Sequence, residues 1–389
     1  MLDNVYMNTP QAKVKVVHIV TRMNTGGVAV LVSELITGLD PKRFEVHLIT
    51  GRCTPDEEDY IRARGLHLGE ISIDSMGRSL SPYSDFKSFL SLLNHLRQLK
   101  PNIVHTHTSK AGLLGRIAAK LAVPNARIVH TFHGHLLHGY FSKTATKFLT
   151  VTERLLAKIT DLLISMGNEV KRDLLDSKIG NVKQFVIAFP GMRANQPNLN
   201  NLKARKFKGD HSKKVIFAFV GRLSPIKRCD RILELASMKE INDAGIHFLI
   251  IGDGELRSHL EGQSIGLPIT FIGWESNTED WLAVSDVAIL LSDNEAVPLA
   301  MIEAGFAGLP VVATNVGSMT DVVLDKENGF LVGLKIDEIA EKVLLLGKND
   351  TLRLQMGIMG KTLASEHFSV EAMIAKHQEL YSKLMGSNY

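Results

Sequence analysis

The stretch VKVVHIVTRMNTGGVAVLVSELITGL, residues 14–39, decides the fold. Residues 14–21 are dense in valine and isoleucine and do not alternate with polar residues, as expected of a strand buried on both faces. Gly26 and Gly27 supply a turn, and residues 28–39 carry helical periodicity. Strand, glycine turn and helix form the opening unit of a parallel α/β sheet. The alternation continues outward. Strands are predicted at 44–50, 103–107, 126–131 and 161–165, with helices at 86–99, 110–121 and 146–159. Around Pro190 the texture changes. Residues 190–210 hold four asparagines and no apolar run, and they read as a linker. Strands then recur at 215–220, 247–251, 269–271, 287–291 and 310–313. Helices are predicted at 230–239, 281–284 and 298–307, and a long amphipathic helix at 368–385. The expected fold is α/β, with two Rossmann-like domains at 1–190 and 191–367, a closing helix at 368–389, and parallel sheets facing across a cleft.

A chain of 389 residues agrees with two domains. Cys53 and Cys229 are the only cysteines, so no disulfide framework or zinc pattern exists and a reducing compartment is expected. Residues 1–13 include Asp3 and Pro10 and do not read as a signal peptide. No apolar run approaches the roughly 20 residues of a membrane span. The expected location is the cytoplasm, with at most peripheral contact at the inner face of the plasma membrane. The charge is uneven. Residues 1–190 hold 24 basic and 16 acidic residues, net +8, and the remainder 21 and 25, net −4. No Asp or Glu occurs between Asp85 and Glu153, a stretch with nine Lys and Arg and seven histidines. A positive field there would draw anions; the plainer reading is a solvated basic face.

Five constellations carry chemistry. Gly26-Gly27 would let backbone approach a phosphate at a helix start, or would simply make a turn. It lacks the further glycines of the dinucleotide fingerprint. Gly221, Arg222 and Lys227 follow a strand, where a fork and a point charge can grip a diphosphate; two solvated loop cations are the alternative. Gly252-Asp253-Gly254 reads as a tight turn. Glu295 and Glu303 could accept hydrogen bonds from sugar and ribose hydroxyls; otherwise Glu295 caps a helix and Glu303 pairs with a lysine. The histidines 105, 107, 130, 133, 135 and 138 invite a metal reading. The stretch lacks the carboxylate that such sites use, so no metal is expected and a hydrogen-bonding histidine at a strand end is favoured.

Taken together, these segments resemble glycosyltransferase family 4, the retaining enzymes of the two-domain GT-B fold. The resemblance runs from about residue 14 to 384. It rests on Gly26-Gly27, HTHTSKAGLLGR at 105–116, TFHGH at 131–135, VGRLSPIK at 220–227, GDGELR at 252–257 and the Glu295/Glu303 pair. The closest texture is that of bacterial capsule, exopolysaccharide and lipopolysaccharide O-antigen enzymes. The resemblance implies transfer of a hexose or N-acetylhexosamine from a nucleotide sugar, UDP ahead of GDP, to a lipid-linked or oligosaccharide acceptor. It implies that Arg222 and Lys227 hold the diphosphate, Glu303 the ribose, and Glu295 the transferred sugar. His133 would face that sugar from the first domain. Gly26, Gly27, Gly221, Gly252, Gly254 and Leu299 would lie on the donor side, and His107 and Lys110 on the acceptor side. The closing helix would cross back to the first domain. No cofactor or metal is implied, since Arg and Lys supply the electrostatic stabilisation.

Departures from the family pattern are Ala296 where Gly is usual, Pro298 with its missing N–H, and Gly317-Ser318-Met319-Thr320-Asp321 in place of G-G-x-P-E. Phe189-Pro190-Gly191 stands for the common P-N-G turn. Two rivals share the expected fold, a sugar-nucleotide epimerase and a non-catalytic nucleotide-sugar binder. The epimerase would need acidic groups that residues 86–152 lack. A nucleic-acid binder would need interleaved aromatic and basic residues, which the chain does not show.

Overall fold

The computed structural model describes residues 13–79, 81–134, 143–198, 200–295 and 297–386. The chain forms two compact units, residues up to 191 together with those from 370 onward, and residues 192–369. Among the described residues, no helix is long and apolar enough to cross a membrane.

In the first unit the strands are β1 Val14–Val20, β2 Phe44–Gly51, β3 Ile71–Ile73, β4 Ile103–His107, β5 Arg127–Phe132, β6 Leu162–Ser165 and β7 Phe185–Ile187. They pair in parallel in the order β3-β2-β1-β4-β5-β6-β7. From β1 the chain builds outward to one side and then restarts at β4 toward the other. The gap beyond β1 and β4 is therefore a topological switch point, where open α/β sheets bind ligands. β1 is buried almost throughout, because helices cover both sheet faces. The β1–β4 register sets His18 opposite His105 and Val20 opposite His107. The helix Val370–Met385 buries Met373, Leu380 and Tyr381 in one cluster with Val14, Val16, Leu35 and Phe44. Each such large side chain contributes roughly 1.5–3 kcal/mol.

The second unit repeats the plan. β8 Val215–Val220, β9 Ile246–Ile251, β10 Ile269–Gly273, β11 Val287–Leu290, β12 Val311–Thr314 and β13 Gly329–Val332 run parallel in the order β10-β9-β8-β11-β12-β13. Its switch point lies between β8 and β11.

Three expectations are corrected. The segment 190–210 is not all linker. A helix, Leu202–Asp210, is capped by the Asn201 side chain and buries Ala204 and Phe207. Those two apolar residues were hidden among Lys203, Arg205, Lys206 and Lys208. The final helix begins at Val370 rather than 368, and a separate helix, Asp350–His367, precedes it. The strands β3, β7 and β13 were unread because three or four residues at a sheet edge carry too short a pattern.

The acid-free stretch is less open in charge than its sequence implies. Arg116 is fully buried and donates two hydrogen bonds, 2.8 and 2.7 Å, to the Glu153 carboxylate. Lys110 pairs with Asp85, and Arg127 with Asp161. Carboxylates just outside the stretch reach back to these cations. On the helix Lys143–Ala157, the apolar side chains divide between the interior and the surface. Leu156 is buried, but Phe148 and Leu155 are 74% and 59% exposed and Val151 is exposed beside them.

Candidate functional site

The second unit brings residues from three loops together at the ends of β8, β9 and β11. The loop after β8 is braced by the turn after β9. Gly221 N–H donates to Ile251 O, 3.0 Å, and Leu223 N–H to Asp253 O, 2.9 Å. Gly252 has φ +144°, and a Cβ there would lie 1.9 Å from Gly221 O; a Cβ at Gly254 would lie 2.4 Å from Leu223 O. Both glycines are required by this close approach of two backbones. Within the braced loop, Lys227 Nζ donates to Glu295 Oε1 at 2.6 Å, and Ser292 Oγ donates to the same oxygen at 2.5 Å. Thr314 Oγ1 in turn donates to Ser292 O, 2.6 Å. Glu295 is buried, and its backbone O accepts from Ser318 N–H at 3.0 Å. Gly317 beside it sits at φ +53°, with space for no side chain: a Cβ would be 1.9 Å from Glu295 O. The departure at 317–318 thus keeps the glycine that the backbone needs. Arg222 is exposed and pairs with Glu255 at 3.1 Å.

Glu303 lies in the second turn of the helix Leu299–Phe306. Its Oε2 accepts from Thr278 Oγ1 at 3.0 Å. Burial raises its pKa, an effect the Thr278 hydrogen bond partly offsets. It borders a pocket of about 370 Å³ with Arg193, Gln196, Ser276, Thr278 and Lys361, in the size range of small-molecule sites. No lysine pairs with Glu303 and no side chain caps this helix among the described residues. Leu299 N–H turns back to Val297 O, 2.9 Å, and Pro298 before it has no N–H. Ala296 lies outside the described residues.

In the first unit, Gly26 and Gly27 are exposed at the start of the helix Gly27–Gly38. A Cβ at Gly26 would meet only Asn24 O at 3.8 Å, and one at Gly27 would meet nothing. Neither packing nor backbone strain requires glycine here, so the open space itself is the feature. Thr21 and Thr108, just past β1 and β4, bond through their hydroxyls at 2.7 Å. Thr108 holds φ +67°, a conformation costly for a β-branched residue and concentrated at functional sites. Sequence reasoning missed this pair, as it missed Ser292, Thr278 and His18. Lys110 is anchored, donating to Gly77 O at 2.9 Å and Ser79 O at 2.5 Å.

The histidines separate by sheet face. His105 and His107, two residues apart on β4, join His18 on one side. His105 Nδ1 lies 2.6 Å from Tyr381 Oη and Nε2 2.7 Å from Thr131 Oγ1. His107 meets His18 and His133. His130 faces the other side, bonded to Thr106 Oγ1 at 2.8 Å. There Gly112 makes room, since a Cβ at that position would lie 2.6 Å from the His130 ring. Burial pushes these imidazoles down, to about 3 for His18 and about 4 for His133 and His377, and well below the usual value for His105, His107 and His130. His135 and His138 lie outside the described residues.

Two family models match, one for each unit: Glycosyltransferase Family 4 over residues 25–188, and Glycosyl transferases group 1 over residues 200–362. The Escherichia coli UDP-Gal:alpha-D-GlcNAc-diphosphoundecaprenol alpha-1,3-galactosyltransferase is 29% identical, covering 96% of this chain and 98% of its own length. The Staphylococcus aureus capsular polysaccharide biosynthesis glycosyltransferase CapM is 24% identical over 80% of this chain and 84% of its own. Among solved structures, HepE of Anabaena in complex with UDP superposes with a TM-score of 0.75 at 17% identity, covering 95% of this chain and all of that one. With both units matched and the two-sheet architecture shared, the chain belongs to glycosyltransferase family 4 and has the GT-B fold.

Proposed function

We propose that the chain is a retaining hexosyl- or N-acetylhexosaminyltransferase. It takes its sugar from a UDP-sugar and passes it to a lipid-linked saccharide during cell-surface polysaccharide synthesis. The observation that carries this reading is the Lys227–Glu295–Ser292 group, in which the half-buried lysine meets a buried carboxylate and hydroxyl at the switch point of the second sheet. A lysine ammonium has three donors. One is held by Glu295, and the others are available to a diphosphate. The Ser292 hydroxyl keeps the carboxylate in place when Lys227 turns part of its charge to phosphate, and Glu295 can then accept from sugar hydroxyls. Arg222, exposed in the same loop, adds a forked donor. Glu303, at its pocket with Thr278, suits ribose hydroxyls. Gly26 and Gly27, exposed with open space about their Cβ positions, suit the approach of a phosphate.

Charge stabilisation of the leaving diphosphate then rests on Arg222 and Lys227, and turnover is expected to persist in excess EDTA. The lipid-linked acceptor and the UDP donor are supported by the activity for which the E. coli relative is named. The exposed face of Lys143–Ala157, with Phe148, Val151 and Leu155 beside Lys147 and Lys158, suits an anionic membrane surface. The test is thermal stabilisation by UDP, GDP and dTDP sugars. A donor at 100-fold its dissociation constant adds about 2.7 kcal/mol. Stabilisation by UDP-sugars is expected, and none by any nucleotide sugar would remove the reading.

A further inference from the structure

The turn that carries Lys227 is tied down on both sides of the lysine. Pro225–Lys227 is one short helical turn after β8, and the loop that holds Ser292, Asp293 and Glu295 follows β11. Before the lysine, Ile226 O accepts from Asp293 N–H at 2.9 Å. After it, Arg228 Nη1 donates to Asp293 Oδ2 at 3.1 Å, while its Nη2 donates to Asp230 at 2.8 Å. Three residues on, Arg231 donates from Nη2 to Asp293 Oδ1, 2.7 Å, and from Nη1 to Leu291 O, 2.6 Å. The Arg231 side chain is 8% exposed. It satisfies a carbonyl on a fully buried residue, which would otherwise be left without a partner.

Two carboxylates, Asp293 and Glu295, thus stand two positions apart in front of three cations, Lys227, Arg228 and Arg231. An ammonium on a flexible stem is a point charge and has no intrinsic preference between them, whereas a guanidinium fork binds two acceptors in fixed geometry. Both Asp293 oxygens are taken by the two guanidiniums. The lysine is left with Glu295, which it meets at 2.6 Å. Glu255, the other acid of this region, is engaged by Arg222.

We propose that Arg231 and Asp293 are positioning residues that sort these charges: they clamp the Lys227 turn to the loop after β11 and hold the ammonium on Glu295 before a diphosphate arrives. A charge fixed in advance costs no reorganisation when the leaving group develops its own. The diphosphate rests on the function proposed above; the clamp and the ammonium position do not.

The first readout is the ammonium itself and needs no turnover. Lysine ¹⁵N-ammonium signals are recorded in cold, mildly acidic solution, where only groups held in hydrogen bonds survive exchange with water. The Lys227 signal is identified by its absence in Lys227→Arg. It should be present in the unmodified chain and lost in Asp293→Asn, which keeps the backbone N–H to Ile226 and removes the charge. Arg231→Lys keeps a buried cation but cannot reach Leu291 O and Asp293 together. It should lose the signal too, and it decides alone if Asp293→Asn does not fold.

Turnover supplies the second readout. Asp293→Asn should lower kcat about tenfold, within the range of coupled neighbours, with a smaller change in donor KM. In a Lys227→Ala background the same change should alter kcat by less than about twofold. A clamp that merely stabilised the unit would lower kcat alike in both backgrounds, and that result would overturn the proposal. So would the absence of a Lys227 signal in the unmodified chain, or its persistence in either variant. If no nucleotide sugar is turned over, the transferase reading falls and the ammonium signal still decides the clamp.

Discussion

The chemistry of the second unit centres on Lys227. Its ammonium faces a buried carboxylate at 2.6 Å, and in the proposed function it also receives the charge that develops on the leaving diphosphate. Lys227→Ala should lower kcat a hundredfold or more, about 2.7–4 kcal/mol, the scale for preorganised groups that act on transition-state charge. Arg222 is 73% exposed and already paired with Glu255, so Arg222→Ala should cost less. Steady-state kinetics with a saturating donor separate the two, and wild-type turnover in Lys227→Ala would remove the assignment. Lys227 and Glu295 were both legible as candidate residues in the sequence. Their contact was not, because 68 positions separate them and only the pairing of β8 with β11 brings their loops together. His18 was missed for the same reason. It reads as one polar residue in a buried strand until the β1–β4 register sets it against His105.

Among the elements, the long central strands were plain because dense β-branched runs leave no other solution. β4 and β8 match their expected bounds to the residue. The short edge strands and the cationic helix Leu202–Asp210 lack that density, and tertiary packing alone defines them. The helices Ser109–Ala122 and Lys143–Ala157 are joined by the Arg116–Glu153 pair, enclosed on all sides. Glu153→Gln should cost about 3–5 kcal/mol, since it strands a buried guanidinium, whereas Arg116→Met with Glu153→Leu should recover most of the loss. Urea unfolding of the three chains gives the comparison, and equal stability of Glu153→Gln and the unmodified chain would contradict it. Lys147 on the helix Lys143–Ala157 and Lys158 just past its end should each add about 1 kcal/mol of binding to anionic bilayers. Co-sedimentation with vesicles should rise with anionic lipid, weaken with salt, and drop in the double change to Glu. Equal recovery with neutral and anionic vesicles would favour a soluble acceptor.

For the whole molecule, the enclosed histidines tie stability to pH. Unfolded imidazoles titrate near 6.5, whereas in the folded chain His18 titrates at about 3 and His133 and His377 at about 4. Between these values the unfolded chain binds more protons, so stability rises with pH: it is full above about 6.5 and is lost as pH falls toward 4. Asp230 and Glu45, whose carboxyls are held low by Arg228 and by His47 and Lys15, lose their contributions only below about pH 4.5. Glu303, raised by burial, acts in the opposite sense. The urea midpoint should therefore fall from pH 7 to 5, and a flat midpoint over that window would show the histidines to be accessible. The most direct measurement of the account as a whole is sugar transfer itself. The purified chain is given labelled UDP-galactose, UDP-glucose and UDP-N-acetylglucosamine with a diphosphopolyprenol-linked N-acetylglucosamine acceptor in excess EDTA, and the anomeric configuration of the extracted lipid product is read by NMR. The expected result is one α-linked product, made by the unmodified chain and reduced a hundredfold or more in Lys227→Ala. A β-linked product, turnover abolished by EDTA and restored by Mn²⁺, or epimerised nucleotide sugar with no transfer would contradict it.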